Sequence, residues 1–168
     1  MEKLGDTVYL RCDEWIIEMR IIRRTDDNSP FSLTDENRFG IYDRRYARYS
    51  ANCLFVQSIY DMSNKSKKTH IVETSDYNIN QPMIFEVGKV ITSNIGIPYF
   101  KELTRATMYD LHGTDQLKPL HHYMAWRDNC RLLCTCDYVY GQINGHFVSY
   151  DEYGNICREC DYDHGQSK

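Results

Sequence analysis

Two pairs of thiols stand near the end of the chain: CTC, at Cys134 and Cys136, and CREC, at Cys157 and Cys160. His121, His122, His146 and His164 surround them. Thiolate and imidazole are zinc ligands, and a structural zinc takes four of them, usually from knuckles with two to four residues between the cysteines. CREC has that spacing and CTC does not. Within an extended strand Cys157 and Cys160 point to opposite faces. Cys136 and Cys160, on equivalent strands of successive hairpins, would lie about 10 Å apart, beyond the reach of a disulfide. The sequence predicts packed thiols, no metal centre and no cofactor. A catalytic thiol needs a base within hydrogen-bond reach, and none of the seven cysteines shows a recognisable cysteine–histidine signature. No catalytic residue is assigned.

Two other sets of side chains could bind. Arg23, Arg24, Arg44, Arg45 and Arg48, with Arg20 nearby, are interleaved with Tyr42, Tyr46 and Tyr49. Arginine for phosphate and tyrosine for stacking suit nucleic acid. Acidic residues (Asp26, Asp27, Asp35, Glu36, Asp43) lie among them, and the net charge of −4 excludes a globally basic binder. Tyr138, Tyr140, Tyr150, Tyr153 and Tyr162 form the second set. Tyrosine is enriched in the cores of protein interfaces, so this set suits a protein partner or self-association.

The elements that must carry these residues are mainly strands. WIIEMRII places Trp15, Ile17, Met19 and Ile21 on one face and Glu18 and Arg20 on the other, a period of two. TVYL, SANCLFVQSIY and MIFEVGKVIT read as further strands, the second central and the third bent at Gly88. TDDNSPFSLTDENRFG is rich in turn formers and reads as a loop, and DMSNKSKKTH as a hairpin tip. In FKELTRATMYDLHG, Leu103, Ala106, Thr107 and Leu111 recur at helical spacing, which predicts one main helix at about 100–112 capped by Gly113. The fold class is α+β, mainly β. A mixed domain over 1–117 is followed by a hairpin region over 118–168.

That last region repeats itself. CDYVYGQ at 136–142 returns as CDYDHGQ at 160–166, and the offset of 24 also aligns Tyr123 with Phe147, Trp126 with Tyr150, and Leu132 with Ile156. Such a period marks a supersecondary unit. GHFVSYDEYGNICRECDYDHGQ reads as strand, turn, strand, turn, so each unit is a β-hairpin. Ile156, Arg158, Cys160 and Tyr162 share one face, and Cys157, Glu159 and Asp161 the other.

Gly145, Phe147, Tyr150, Gly154, Asn155, Glu159, Tyr162 and Gly165 give the second unit a pattern that resembles the compact variant of the MORN repeat. The first unit has Cys130 and Thr135 where the second has Gly154 and Glu159. The resemblance implies two antiparallel hairpins that serve as a protein or lipid contact module. The acidic balance of this segment disfavours anionic membrane.

Upstream, RCDEWIIEMRI, RRYARYSANCLFVQSIYD, NQPMIFEVGKVI and GIPYFKELTRATMY follow one another in an order similar to an uncharacterised domain of mimivirus-type giant viruses, which often precedes MORN-like repeats. Phe85, Val87, Gly88, Lys89, Gly96, Ile97, Tyr99, Phe100, Ala106 and Tyr109 carry the likeness, and Pro98 stands where members show histidine. GIPYFKELTRATMY also resembles a strand and helix of ADP-ribosyltransferases, but the His-Gly-Thr at 112–114 follows that strand instead of preceding it. The resemblances together imply a non-enzymatic protein–protein interaction module of a giant virus. Nucleic-acid binding through the arginines and a degenerate transferase-like fold are the alternatives. MEKLGDTVYL lacks the basic start and apolar run of an export signal, and no stretch is apolar for the length of a membrane span. The expected location is the host cytoplasm.

Overall fold

The computed structural model describes residues 3–23, 32–33, 43–74, 82–109 and 121–168. These fall into two compact units. The first runs to Tyr109; the second begins at His121 and includes Asp43 and Arg44. The boundary expected at 117/118 lies outside the described residues.

The first unit is built on four long antiparallel strands. β1 (Lys3–Cys12) and β2 (Trp15–Arg23) form a hairpin closed by Cys12↔Trp15. Asp13 takes φ +51 in its two-residue turn, a conformation aspartate tolerates because its short side chain can bond locally. β4 (Arg48–Asp61) is the pivot. It pairs with β2 from Ile21↔Leu54 to Trp15↔Asp61 and with β7 (Val90–Phe100) from Phe55↔Val90 to Arg48↔Phe100. β7 then meets β1 at Tyr9↔Phe100. The order β1–β2–β4–β7–β1 closes into a ring, with a single residue pair at the β7–β1 seam.

Alternation puts Val8, Leu10, Ile17, Met19, Leu54, Val56, Ile97 and Tyr99 in the core. Ile17, Met19 and Ile21 lie inside as their spacing predicts, while Trp15 is half-buried. Ile16 and Ile22, of opposite parity, are buried as well, so β2 is covered on both faces at those points.

Three expectations need correction. MIFEVGKVIT is not one strand. Gly88, at φ +83, turns the chain between β6 (Met83–Glu86) and β7. β6 pairs instead with β5 (Ile71–Thr74), and Val72, Thr74, Met83 and Phe85 are buried on that small hairpin. Within the expected 25–40 loop, β3 (Ser32–Leu33) pairs with β4 at Ser50 and Tyr49. The helix, α1 (Leu103–Thr107), is a single turn and a half. Phe100 ends β7 instead of starting the helix, and Tyr109 turns back so that its ring lies 5.1 Å from that of Phe100. Arg11 donates to the Thr107 carbonyl at 3.1 Å and to the Tyr109 carbonyl at 3.4 Å, satisfying groups that a longer helix would have paired internally. Leu111 and Gly113 lie outside the described residues.

The predicted tip after β4 is organised by Asp61. Oδ1 accepts from the Ser63 amide at 2.9 Å, the Ser63 hydroxyl at 2.6 Å and the Asn64 amide at 3.1 Å, and Oδ2 faces Lys67 Nζ at 3.1 Å. The Ser63 hydroxyl, the Lys67 ammonium and the backbone donors together hold this carboxyl at about 2. A depressed folded value means that the stabilisation is whole above the unfolded pKa of about 4 and is lost as pH falls through the folded one. The melting temperature of Asp61→Asn is therefore expected to vary less than that of the wild type between about pH 4 and pH 2.

On the residue before Asp61, the Tyr60 hydroxyl is buried with no hydrogen-bond partner among the described residues. A buried polar group left unmatched costs about 1–3 kcal/mol. Tyr60→Phe is accordingly expected to hold or raise the urea midpoint, where a hydrogen-bonded tyrosine would lower it.

The second unit is an antiparallel meander: β8 (His122–Trp126), β9 (Leu132–Val139), β10 (Gln142–Tyr150), β11 (Ile156–Asp163) and β12 (Gln166–Ser167), in that order across the sheet. The two predicted hairpins are β8–β9 and β10–β11. They join through β9–β10 into one sheet.

Candidate interaction surface

The 24-residue offset holds in the geometry. In the first hairpin the Tyr123 and Tyr138 rings meet edge-on with centroids 5.9 Å apart; in the second, Phe147 and Tyr162 do the same at 5.9 Å. His122 Nδ1 lies 2.7 Å from Asp137 Oδ1, and His146 Nδ1 lies 3.0 Å from Asp161 Oδ1. The turns correspond as well. The Arg127 amide donates to the Arg131 carbonyl at 2.8 Å, as the Asp151 amide does to Asn155 at 2.8 Å. Cys130 takes φ +63 where Gly154 takes +88, and Tyr140–Gly141 match His164–Gly165 as pairs with positive φ. A cysteine in that left-handed position is strained where glycine is not. In the second turn Asp151 Oδ1 also accepts from the Tyr153 and Asn155 amides, at 2.9 and 2.8 Å.

The five tyrosines separate into two groups. Tyr138, Tyr150 and Tyr162 are half-buried. Tyr138 packs on Tyr123, Tyr162 packs on Phe147 and takes a hydrogen bond from Arg158 at 3.2 Å, and burial pushes the Tyr138 phenol far up. Tyr140 and Tyr153 stand out from the turns at 89% and 73% exposure, with Ile156, beside the second, at 56%. Of the five, Tyr140 and Tyr153 project from turns, Tyr138 and Tyr162 pack against rings of the same sheet, and Tyr150 is half-buried.

The thiols are likewise divided by the register. Cys136 and Cys160 stand opposite Phe147 on either side of β10, on one face of the sheet. Burial pushes the Cys136 thiol up to about 11 and raises Cys134 as well, which keeps both protonated and weakly nucleophilic. Cys157 is exposed, with Sγ 3.3 Å from the Ser149 hydroxyl. Among the described residues, no three of His, Cys, Asp and Glu are grouped to hold a metal ion.

Arg44 and Arg45 lie on a 3-10 turn (Arg44–Tyr46) with exposed side chains, and Arg48 is half-buried at the start of β4. The Arg45 guanidinium sits 5.4 Å from the centre of the Tyr46 ring. Arg23 ends β2, and Arg24 lies outside the described residues. GIPYF is the end of β7, and its Tyr99 and Phe100 are core residues; His112 to Thr114 lie outside the described residues.

Sequence reasoning missed the histidine–carboxylate columns. His146 lies between Asp161 and Glu159, with Nε2 2.9 Å from Glu159 Oε1, and the Asp161 contact, then Glu159, raises its pKa. The signal was available: His122 and Asp137 recur 24 residues later as His146 and Asp161. Among the described residues no helix is long and apolar enough to cross a membrane. No family model matches the chain, and no curated protein and no solved structure matches it.

Proposed function

We propose that this chain is a protein–protein interaction module whose contact surface is the repeated hairpin unit. Its support is the presentation of Tyr140 and Tyr153 on the turns of a sheet in which Tyr123 packs on Tyr138 and Phe147 on Tyr162. An exposed tyrosine on a rigid turn offers a large contact area at low entropic cost. Within this reading the units are compact MORN-like hairpins, the chain is a giant-virus protein, and it works without catalysis in the host cytoplasm.

The test is an affinity capture from infected-cell lysate with the wild type beside Tyr140→Asn/Tyr153→Asn. Asparagine tolerates the left-handed backbone at Tyr140, and exposed substitutions usually stay within about 0.5 kcal/mol, so folding is expected to be retained. A protein recovered by the wild type and lost by the double variant supports the proposal. Nucleic acid recovered equally by both, and released by salt, moves the function to Arg44, Arg45 and Arg48.

A further inference from the structure

The two hairpins of the second unit share a histidine–aspartate pair and differ in what lies beside it. In the first, His122 of β8 stands opposite Asp137 of β9, with Nδ1 2.7 Å from Oδ1. In the second, His146 of β10 stands opposite Asp161 of β11, with 3.0 Å between the same atoms. The repeat offset then sets Glu159 where the first hairpin has Thr135. Thr135 carries no charge. Glu159 pairs with Val148, two residues along from His146, and brings Oε1 to 2.9 Å from His146 Nε2. Both ring nitrogens of His146 therefore face carboxylate oxygens, one directly across the ladder and one on its diagonal.

An ionised carboxylate only accepts hydrogen bonds, and a neutral imidazole carries a single N–H. The neutral ring can satisfy Asp161 or Glu159 but not both, because its remaining lone pair faces an anion. The imidazolium donates to both. The charged groups around the ring sharpen this contrast. From β9, Asp137 borders the residue before His146: a Cβ on Gly145 would lie 3.3 Å from Asp137 Oδ2. That carboxylate is engaged by His122 of β8. Further along β11, Asp163 is held by His164 Nδ1 at 2.5 Å and Lys168 Nζ at 3.7 Å. β10 itself contributes no other charged side chain. With His146 neutral, Glu159 and Asp161 lie on one face of β11 without the cation that joined them. The pairs stand in solvent, which moderates their strength.

We infer that His146 is a proton-operated clamp on the β10–β11 hairpin: protonated, it ties one position of β10 to two of β11, and neutral, it releases one of them and leaves two carboxylates unbalanced. The Asp161 contact, then that of Glu159, raises the pKa of this ring. A folded value above the unfolded one of about 6.5 gives stability that is whole below that pH and is lost as pH rises through the folded value. The clamp thus closes in mildly acidic solution and opens on the alkaline side. The first hairpin has the same histidine and aspartate but lacks the second carboxylate, so the device belongs to the second hairpin alone. That hairpin carries Tyr153 on its turn. With the hairpins read as a contact module, on which this last step rests, pH sets how firmly Tyr153 is presented.

Two measurements on the purified full chain test the clamp, and neither needs a partner. Nitrogen NMR of the histidine rings should find His146 mostly protonated at both nitrogens at about pH 6.5, with a titration midpoint that falls in Glu159→Gln. Glu159 is exposed, so this variant is expected to fold. Amide exchange, corrected for its intrinsic pH dependence, should show β10 and β11 losing about two- to fivefold in protection between about pH 6 and pH 8, the span of an exposed ion pair. The loss should vanish in Glu159→Gln. Thr135→Glu installs the missing carboxylate in the first hairpin and should add the same pH dependence to β8 and β9. Any of three results overturns the inference: a His146 midpoint unmoved by Glu159→Gln, wild-type protection in β10 and β11 that ignores pH, or a Thr135→Glu hairpin that gains no pH dependence. None of them touches the contact-module reading, which the lysate capture decides separately.

Discussion

Tyr99→Ala is expected to lower the stability of the first unit by about 3–5 kcal/mol, the range for truncating a large buried aromatic. Tyr99 is 1% exposed and sits opposite Tyr49 across β4 and β7, with the rings stacked at 5.5 Å and inclined by 15°. Domains of this size are stable by about 5–15 kcal/mol in total, so the urea midpoint should fall by a large fraction. Tyr99→Phe keeps the ring and its stacking on Tyr49 and should cost far less. Alkali supplies a second reading of the same site. Burial, then Tyr49, pushes the Tyr99 phenol up to about 12, and burial does the same to Tyr60. A folded pKa above the unfolded one gives stability that is whole below pH about 10 and is lost as pH rises through the folded value. Tyr99→Phe should flatten that alkaline decline. A midpoint for Tyr99→Ala within experimental error of the wild type would place this residue outside the core.

The sequence made most of the strands legible because alternation is a local signal. WIIEMRII needs only its own residues to show which face is buried, and the tail needs only its own repetition to show where strands and turns fall. The closed ring of β1, β2, β4 and β7 was not legible. It depends on the fourteen residues of β4 pairing with β2 along one stretch and with β7 along another, and no residue type encodes that division. The shortened helix was hidden for a similar reason. Leu103, Ala106 and Thr107 have helical spacing, but tertiary contacts ended the helix there: Arg11, from β1, took the terminal carbonyls, and Tyr109 turned onto Phe100. At the candidate surface the tyrosines were identifiable by type, yet their roles were not. Tyr138 and Tyr140 are two residues apart, and one is packed on Tyr123 while the other projects from a turn at φ +49. That difference is set by where the strand stops.

Phe147→Ala is expected to open the second unit and leave the first intact. Among the described residues of the unit the buried apolar side chains are few and small, namely Cys130, Cys136 and Val148, so the half-buried aromatic rings carry much of the packing described there. Phe147 holds the central place among them. It stands on β10 between Cys136 and Cys160, touches Tyr162 edge-on at 5.9 Å and lies 5.7 Å beneath the Arg158 guanidinium. Its loss should cost about 3 kcal/mol or more, a large part of what a unit this small commands. Tyr123 is its counterpart one repeat earlier, but among the described strands it lies beside β9 alone. Tyr123→Ala should therefore cost less. Amide hydrogen exchange resolves the two cases. Protection in β9, β10 and β11 should collapse in Phe147→Ala and fall only partly in Tyr123→Ala, while β1, β2 and β4 keep wild-type protection in both, because separate cooperative units open independently. A uniform loss of protection across all strands would mean instead that the two units fold as one. The hairpins would then be an extension of the first unit's core, and partner binding at their turns would report on the stability of the whole chain.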